Sequence, residues 1–218
     1  GRTPEVKRSA LVAVVASGLL LASRANGGES GNLVKNGGFE TLAGPGQVAD
    51  WRLAGKASLV TDPALAHSGN NAVKVRFDDH YSYRIATGSN EHYRINGYVS
   101  RCDPDGGEQP RINVYFRNAK YSRMVKVQFD IPGVPGTGYV PFEVYVRSPD
   151  DAATMEVALM GVWSGAEWFM FDDIGIYRLP ASEWPAWEKT PDLNGTTVNV
   201  ADIADVRCDK LTRLFPDA

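Results

Sequence analysis

The chain has 218 residues, 43% of them hydrophobic and 22 of them glycine, a composition that excludes a disordered chain and suits one loop-rich domain with appendages. Its formal charge is −3, and setting aside residues 1–27, with four bases and one acid, leaves 19 basic against 25 acidic residues. An acidic remainder with scattered bases argues against nucleic acid and anionic membrane surfaces as partners.

Residues 1–27 read as a leader rather than as fold. "RTPEVKR" is a charged lead, "SALVAVVASGLLLA" an apolar run and "SRANG" a small-residue exit. That three-part form is a secretory signal peptide, with cleavage expected after Ala25 or Gly27. The apolar run is too short to span a bilayer comfortably, and no Cys follows it as a lipoprotein would require. The expected location is therefore extracellular. The two cysteines, Cys102 and Cys208, fit no zinc spacing, and the sequence leaves open whether they pair.

From residue 28 to 180 the texture is short alternating runs separated by Gly, Pro, Asn and Asp. In chain order the predicted strands are "LVKNGGFE", "KASLVTD", "AVKVRF", "HYSYRIA", "EHYRINGYVS", "RINVYFRN", "RMVKVQFD", "YVPFEVYVRS", "TMEVALMGVW" and "WFMFDDIGIYRL". Ile112, Val114 and Phe116 alternate with Arg111, Asn113, Tyr115 and Arg117, and Phe142, Val144 and Val146 with Glu143, Tyr145 and Arg147. Period two in about ten short strands predicts an all-β, antiparallel β-sandwich or barrel. Residues 181–218 differ: a Pro-rich linker leads into a short stretch, "VADIADVRCDKLTRLF", read as a strap or the start of a further module. Within it "DLNGTTVNVAD" is similar to a dockerin-type calcium loop, a residue short and with Thr in place of an acid and a glycine.

One strand carries a flaw. "WFMFDDIGIYRL" is apolar on both faces, yet Asp172 and Asp173 stand side by side within it. A buried carboxylate costs several kcal/mol, as an order of magnitude, unless its charge is compensated. Strict alternation puts Asp172 on the face of Met170, Ile174 and Ile176, pointing inward, and sends Asp173 outward. Compensation is expected either from a cation or from backbone amides at a turn.

Taken together, "NLVKNGGFE", Trp51, "AHSGNNAVKV", "HYRINGYVS" and "WFMFDDIGIY" resemble, in their order and spacing, the carbohydrate-binding modules of the family 4/9/22 type over residues 32 to 179. The resemblance implies a β-jelly-roll with a galactose-binding-like topology and a structural calcium clipping the first segment to the last strand. Carried over by position, Glu40 and Asp172 would supply carboxylates, and backbone carbonyls near Thr41 and Asn70 the rest of the shell. Calcium takes about 6–8 oxygen ligands from separate segments, which such a set provides. It also implies a polysaccharide ligand stacked on aromatics and hydrogen-bonded by planar polar groups. Candidate contacts are Tyr81, Tyr83, Tyr115, Arg117, Tyr121 and Trp163, with Asn113, Glu143 and Tyr145 beside them. Trp51 and Trp168 are assigned to packing. The cleft Trp usual in such modules has no match after Phe77, only Tyr81, which leaves the identity of the polymer open.

His67, His80 and His92 share no metal-ligand spacing, and no nucleophile elbow, phosphate loop or zinc-protease motif occurs. The expected function is a secreted, non-catalytic module binding xylan- or β-glucan-like polysaccharide, joined to a glycoside hydrolase. Two alternatives stand beside it: a small glycoside hydrolase or lyase built on the sandwich itself, and a structural or adhesive jelly-roll.

Overall fold

The computed structural model describes residues 31–122, 124–161 and 166–183; the leader, Trp163, Cys208 and the tail from 184 lie outside the described residues. In chain order the strands are β1 (Leu42–Gly44), β2 (Gln47–Val48), β3 (Arg52–Leu53), β4 (Ser58–Thr61), β5 (Asn71–Val75) and β6 (Tyr81–Ala86). They continue with β7 (His92–Arg101), β8 (Arg111–Asn118), β9 (Met124–Asp130), β10 (Val140–Arg147), β11 (Ala152–Met160) and β12 (Phe169–Leu179). Apart from the β1–β2 ribbon, these form two five-stranded antiparallel sheets, in the orders β10-β7-β12-β5-β4 and β3-β6-β11-β8-β9. The fold is the expected β-sandwich.

Alternation decides which side chains meet between the sheets. Tyr93, Ile95 and Val99 of β7 and Phe142, Val144 and Val146 of β10 are buried from one side. Ile112, Val114 and Phe116 of β8 and Met155, Val157 and Leu159 of β11 are buried from the other. Each such side chain contributes about 1.5–3 kcal/mol of burial. Nine of the ten predicted strands are found at these positions.

The exception is "LVKNGGFE", which runs as an irregular strap. The strap still touches the last strand: Leu33 N donates to Ile176 O at 2.8 Å and Ile174 N to Gly37 O at 2.9 Å. A Cβ on Gly37 would stand 2.0 Å from the Ile174 carbonyl oxygen, so only glycine permits this approach. Asn36 closes the strap on itself, its amide donating to the Thr41 and Ala49 carbonyls at 2.8 and 3.0 Å. Trp51 packs on Phe39 and Tyr83 and donates to Asn36 O, confirming its role in packing.

The flaw in β12 is a β-bulge. Its pairing with β7 shifts between Asp172 and Gly175, and Asp173 sits at φ 52°. Phe169 and Phe171 point into the core before the bulge, Ile174 and Ile176 after it. The extra residue reverses the phase. Asp172 therefore shares a face with Met170 and not with Ile174 and Ile176, correcting the alternation expected from sequence. It points away from the sandwich core, yet is fully buried by the loop that crosses over it.

Candidate functional site

That loop is "HSGNN", residues 67–71, and two acids hold it by its amides. Asp172 Oδ2 accepts from His67 N at 2.9 Å and Ser68 N at 3.1 Å, while its Oδ1 accepts from Asp173 N at 2.7 Å. Glu40 Oε1 accepts from Asn70 N at 2.8 Å and Asn71 N at 3.0 Å, and its Oε2 from the Asn71 side chain at 3.2 Å. Asp173 completes the clamp through His67 Nδ1 and Ser68 Oγ, and the His67 ring stacks on Tyr98. Burial foremost, then the neighbouring Asp173 charge, outweigh these amide donors and raise the Asp172 pKa to about 6.

Strap, loop and last strand thus meet at Glu40 and Asp172, as the sequence led one to expect. A Cβ on Gly38 would lie 4.0 Å from both Asp172 Oδ1 and the Glu40 side chain. Three donors reach each carboxylate, which offers about four lone-pair sites, so each acid retains acceptor capacity. Carboxylate oxygens from separated segments are the kind of donor calcium takes. Thr41 does not join it: its carbonyl already accepts from Ala49 N at 2.9 Å and Asn36 Nδ2 at 2.8 Å. Asn70 lies beside Glu40 and engages it through its amide. Among the described residues no group of three His, Cys, Asp or Glu side chains forms a metal cluster.

The second site is the outer face of the β3-β6-β11-β8-β9 sheet. Register lines up Ser82, Ala158, Asn113 and Gln128 in one row across it, and Arg84, Glu156, Tyr115 and Lys126 in the next. Arg117 stands beyond Tyr115 on β8. Though outward-facing, Asn113 and Glu156 are only 2% and 8% exposed. Tyr121, in the β8–β9 turn and 60% exposed, lies close enough to Arg84 to act on its charge. Asp78, from the β5–β6 connection, acts electrostatically on Tyr115. Tyr121 and Asp78 thus border the outer face.

Its floor combines an ion cluster with unmatched polar atoms. Arg84 donates from Nε and Nη2 to Glu156 Oε2 at 3.2 and 2.5 Å, and Arg117 Nη1 lies 3.9 Å from the same oxygen. Burial pushes the Glu156 pKa up, but hydrogen bonds from Arg84 and Ser82 and the charges of Arg84 and Arg117 hold it below its ordinary value. Asn113 donates to Tyr115 Oη at 3.2 Å and contacts the Met160 sulfur, leaving Oδ1 buried without a partner. Arg117 Nη1 is likewise buried without a hydrogen-bond acceptor. Tyr115 stands between them, partly buried.

Glu156, with a lowered folded pKa, contributes stability that is fully present above its unfolded value, about 4.5, and lost as pH falls through the folded one. Relative to Glu156→Gln, the unaltered chain should keep a constant advantage in melting temperature from pH 8 to about pH 5 and lose it below about 4.5. An advantage that grows on acidification would contradict the Arg84–Glu156 pairing.

Of the predicted contacts, Tyr115, Arg117 and Tyr121 come together here. Tyr81 and Tyr83 do not. They are 1% and 6% exposed and face the core, because β6 turns its odd positions inward and Ser82 and Arg84 outward. Tyr81 packs near Phe39, and the Tyr83 hydroxyl accepts from Lys35 N and donates to Leu33 O, pinning the strap. Glu143 and Tyr145 occupy the outer face of the opposite sheet, where they bind each other and Glu143 pairs with Arg94. Arg84 and Glu156 were missed from sequence. Glu156 carried a signal like that of Asp172, an acid inside an apolar strand.

No family model and no curated protein sequence matches the chain. Solved structures do. The N-terminal CBM22-1-CBM22-2 tandem domain of Xyn10C from Paenibacillus barcinonensis superposes with a TM-score of 0.52, at 16% identity over 76% of this chain and 50% of that one. A Stig cyclase from Fischerella sp. TAU gives 0.50, at 11% identity over 69% of this chain and 98% of that one. The CBM22-1-GH10 modules of a Clostridium thermocellum xylanase give 0.49 at 15% identity over 62% of this chain, which spans 27% of theirs. At these identities the likeness concerns the fold, and a binding domain and a cyclase share it. The chain has the β-jelly-roll fold of carbohydrate-binding modules.

Proposed function

We propose that the chain is a non-catalytic module that binds xylan- or β-glucan-like polysaccharide in a cleft over β8 and β11. The observation that carries this reading is the Asn113–Tyr115–Arg117 row: an aromatic ring between a buried acceptor and a buried donor, neither with a hydrogen-bond partner. Burying such atoms unmatched is costly, and a ligand bearing hydroxyls on an apolar ring supplies the missing bonds. Glu156 and Arg84 add an acceptor and a donor to the same floor, and Tyr121 edges it.

A hydrolase is the weaker reading. Glycoside cleavage uses two carboxylates across the bond, one of them an acid of raised pKa. On this outer face the acids are Glu156, held ionised by arginine, and Asp130, paired with Arg111 at 2.6 Å. An adhesive role is disfavoured too: the exposed large apolar side chains among the described residues, Leu42, Leu53, Leu65 and Tyr121, belong to four different segments.

Affinity electrophoresis of the full chain through gels containing xylan, β-glucan, cellulose, mannan or agar tests the reading. Retardation by at least one polymer is expected, and free migration in all of them sinks it. In this reading the module acts outside the cell, exported by its leader, and tethers a covalently linked glycoside hydrolase to its substrate.

A structural calcium belongs to the same proposal, held by Glu40 and Asp172 through their remaining lone pairs. The ion would offset the charges of Glu40 and Asp172, the two carboxylates that hold the loop. Chelation is expected to lower the melting temperature by several degrees, through loss of a ligand bound to the folded state, without abolishing sugar binding. A melting curve unchanged in chelator and in added calcium would remove the ion.

A further inference from the structure

The cleft is more basic than its protein. By register its outward positions carry Arg52, Arg84, Arg111, Arg117 and Lys126, against Glu156 and Asp130. The wall adds Asp78, while Asp79 is neutralised by Arg76 at 2.6 Å. In a chain whose residues beyond the leader are net acidic, a cationic cleft points to the charge of what it receives. The opposite outer face carries a smaller excess, Lys74, Arg94 and Arg147 against Glu143 and Asp172, and there Glu143 is shared between Arg94 and Tyr145 while Arg94 also lies over the Tyr177 ring.

The distribution of bonds narrows this further. Glu156 Oε2 already accepts two hydrogen bonds from Arg84, and Arg117 stands 3.9 Å off, beyond hydrogen-bond reach. One carboxylate thus faces two guanidiniums. A neutral hydroxyl could satisfy the orphaned Arg117 Nη1 but would leave the second positive charge unbalanced. A planar carboxylate meets a guanidinium through two parallel N–H···O bonds and cancels its charge. At the other end of the row Asn113 Oδ1 asks for a hydroxyl. The two ends lie four residues apart along β8, about 13 Å in an extended strand, with Tyr115 midway.

Resting on the proposed cleft, we infer that its ligand is an acidic polysaccharide, with a uronate carboxylate seated on Arg117 beside the sugar ring stacked on Tyr115. The test needs no variant at its core. The full chain is titrated with 4-O-methylglucuronoxylan, alginate and polygalacturonate, each beside its carboxyl-reduced counterpart, and with sulfated carrageenan. At least one native uronate polymer should bind about tenfold more tightly than its reduced form, the size of one charge-assisted contact, with the difference shrinking in salt. Arg117→Gln should erase most of that preference, whereas Arg94→Gln on the opposite sheet should keep it. Equal binding of native and reduced polymers overturns the inference and leaves the cleft standing. Carrageenan bound in preference to every uronate polymer overturns the carboxylate assignment. Failure of these polymers and of the neutral panel overturns cleft and inference together.

Discussion

Tyr115→Ala is expected to weaken polysaccharide binding by about 10- to 100-fold while the chain stays folded. Removing the ring forfeits the buried apolar area against a sugar face, worth about 1.5–3 kcal/mol, and each 1.4 kcal/mol is about tenfold in affinity. The hydroxyl also accepts from Asn113 at 3.2 Å, so truncation leaves that amide a further bond short. Because Tyr115 faces outward, the core between the sheets is untouched. The matched control is Tyr81→Phe. Tyr81 sits in the core with its hydroxyl buried and unpartnered, so deleting the oxygen should cost no stability and leave binding unchanged. Affinity electrophoresis or calorimetry reads both. Unaltered affinity for Tyr115→Ala would remove the cleft from the site.

Asp172→Ala is expected to be the most destabilising single change at the strap, by about 3–5 kcal/mol. Three amides, those of His67, Ser68 and Asp173, lose their acceptor at a fully buried position, at about 1–3 kcal/mol each before water returns some of it. In a domain of this size that is a fall of about 10 °C or more in melting temperature. Asp173→Ala should fall much less, because His67 and Asp173 are each about 30% exposed and an exposed pair contributes little. Equal melting temperatures for Asp172→Ala and the unaltered chain would show that the loop is held by something else. The acid at the flaw in β12 is therefore answered in part without an ion: it is the shared acceptor for a loop and a bulge.

Period-two patterning was legible because each strand buries one face and wets the other. Ile112, Val114 and Phe116 fell inward and Tyr115 and Arg117 outward, as alternation demands. Tyr81 and Tyr83 were misread because alternation has two phases and nothing local in "HYSYRI" says which of them faces the core. Only the pairing of β6 with β3 and β11 decides that. The bulge at Asp172–Asp173 is harder still, since one inserted residue reverses the phase of all that follows. The meeting of Glu40 with Asp172 was read from the order of motifs along the chain. The carbonyl assigned at Thr41 was not, because its partners, Ala49 and Asn36, depend on how the strap folds.

By itself the sequence determined the β-sandwich, the inward and outward sets of β8 and β10, and that the acid at Asp172 needs compensation. These follow from burial period and from the cost of an uncompensated carboxylate, which act within a few residues of chain. The tertiary structure alone decided that Glu156 of β11, Arg84 of β6 and Tyr115 of β8 form one floor, and that Tyr121 borders it. Those residues are up to 72 positions apart, and only antiparallel pairing of separate strands brings their charges and orphaned hydrogen bonds within reach of one another.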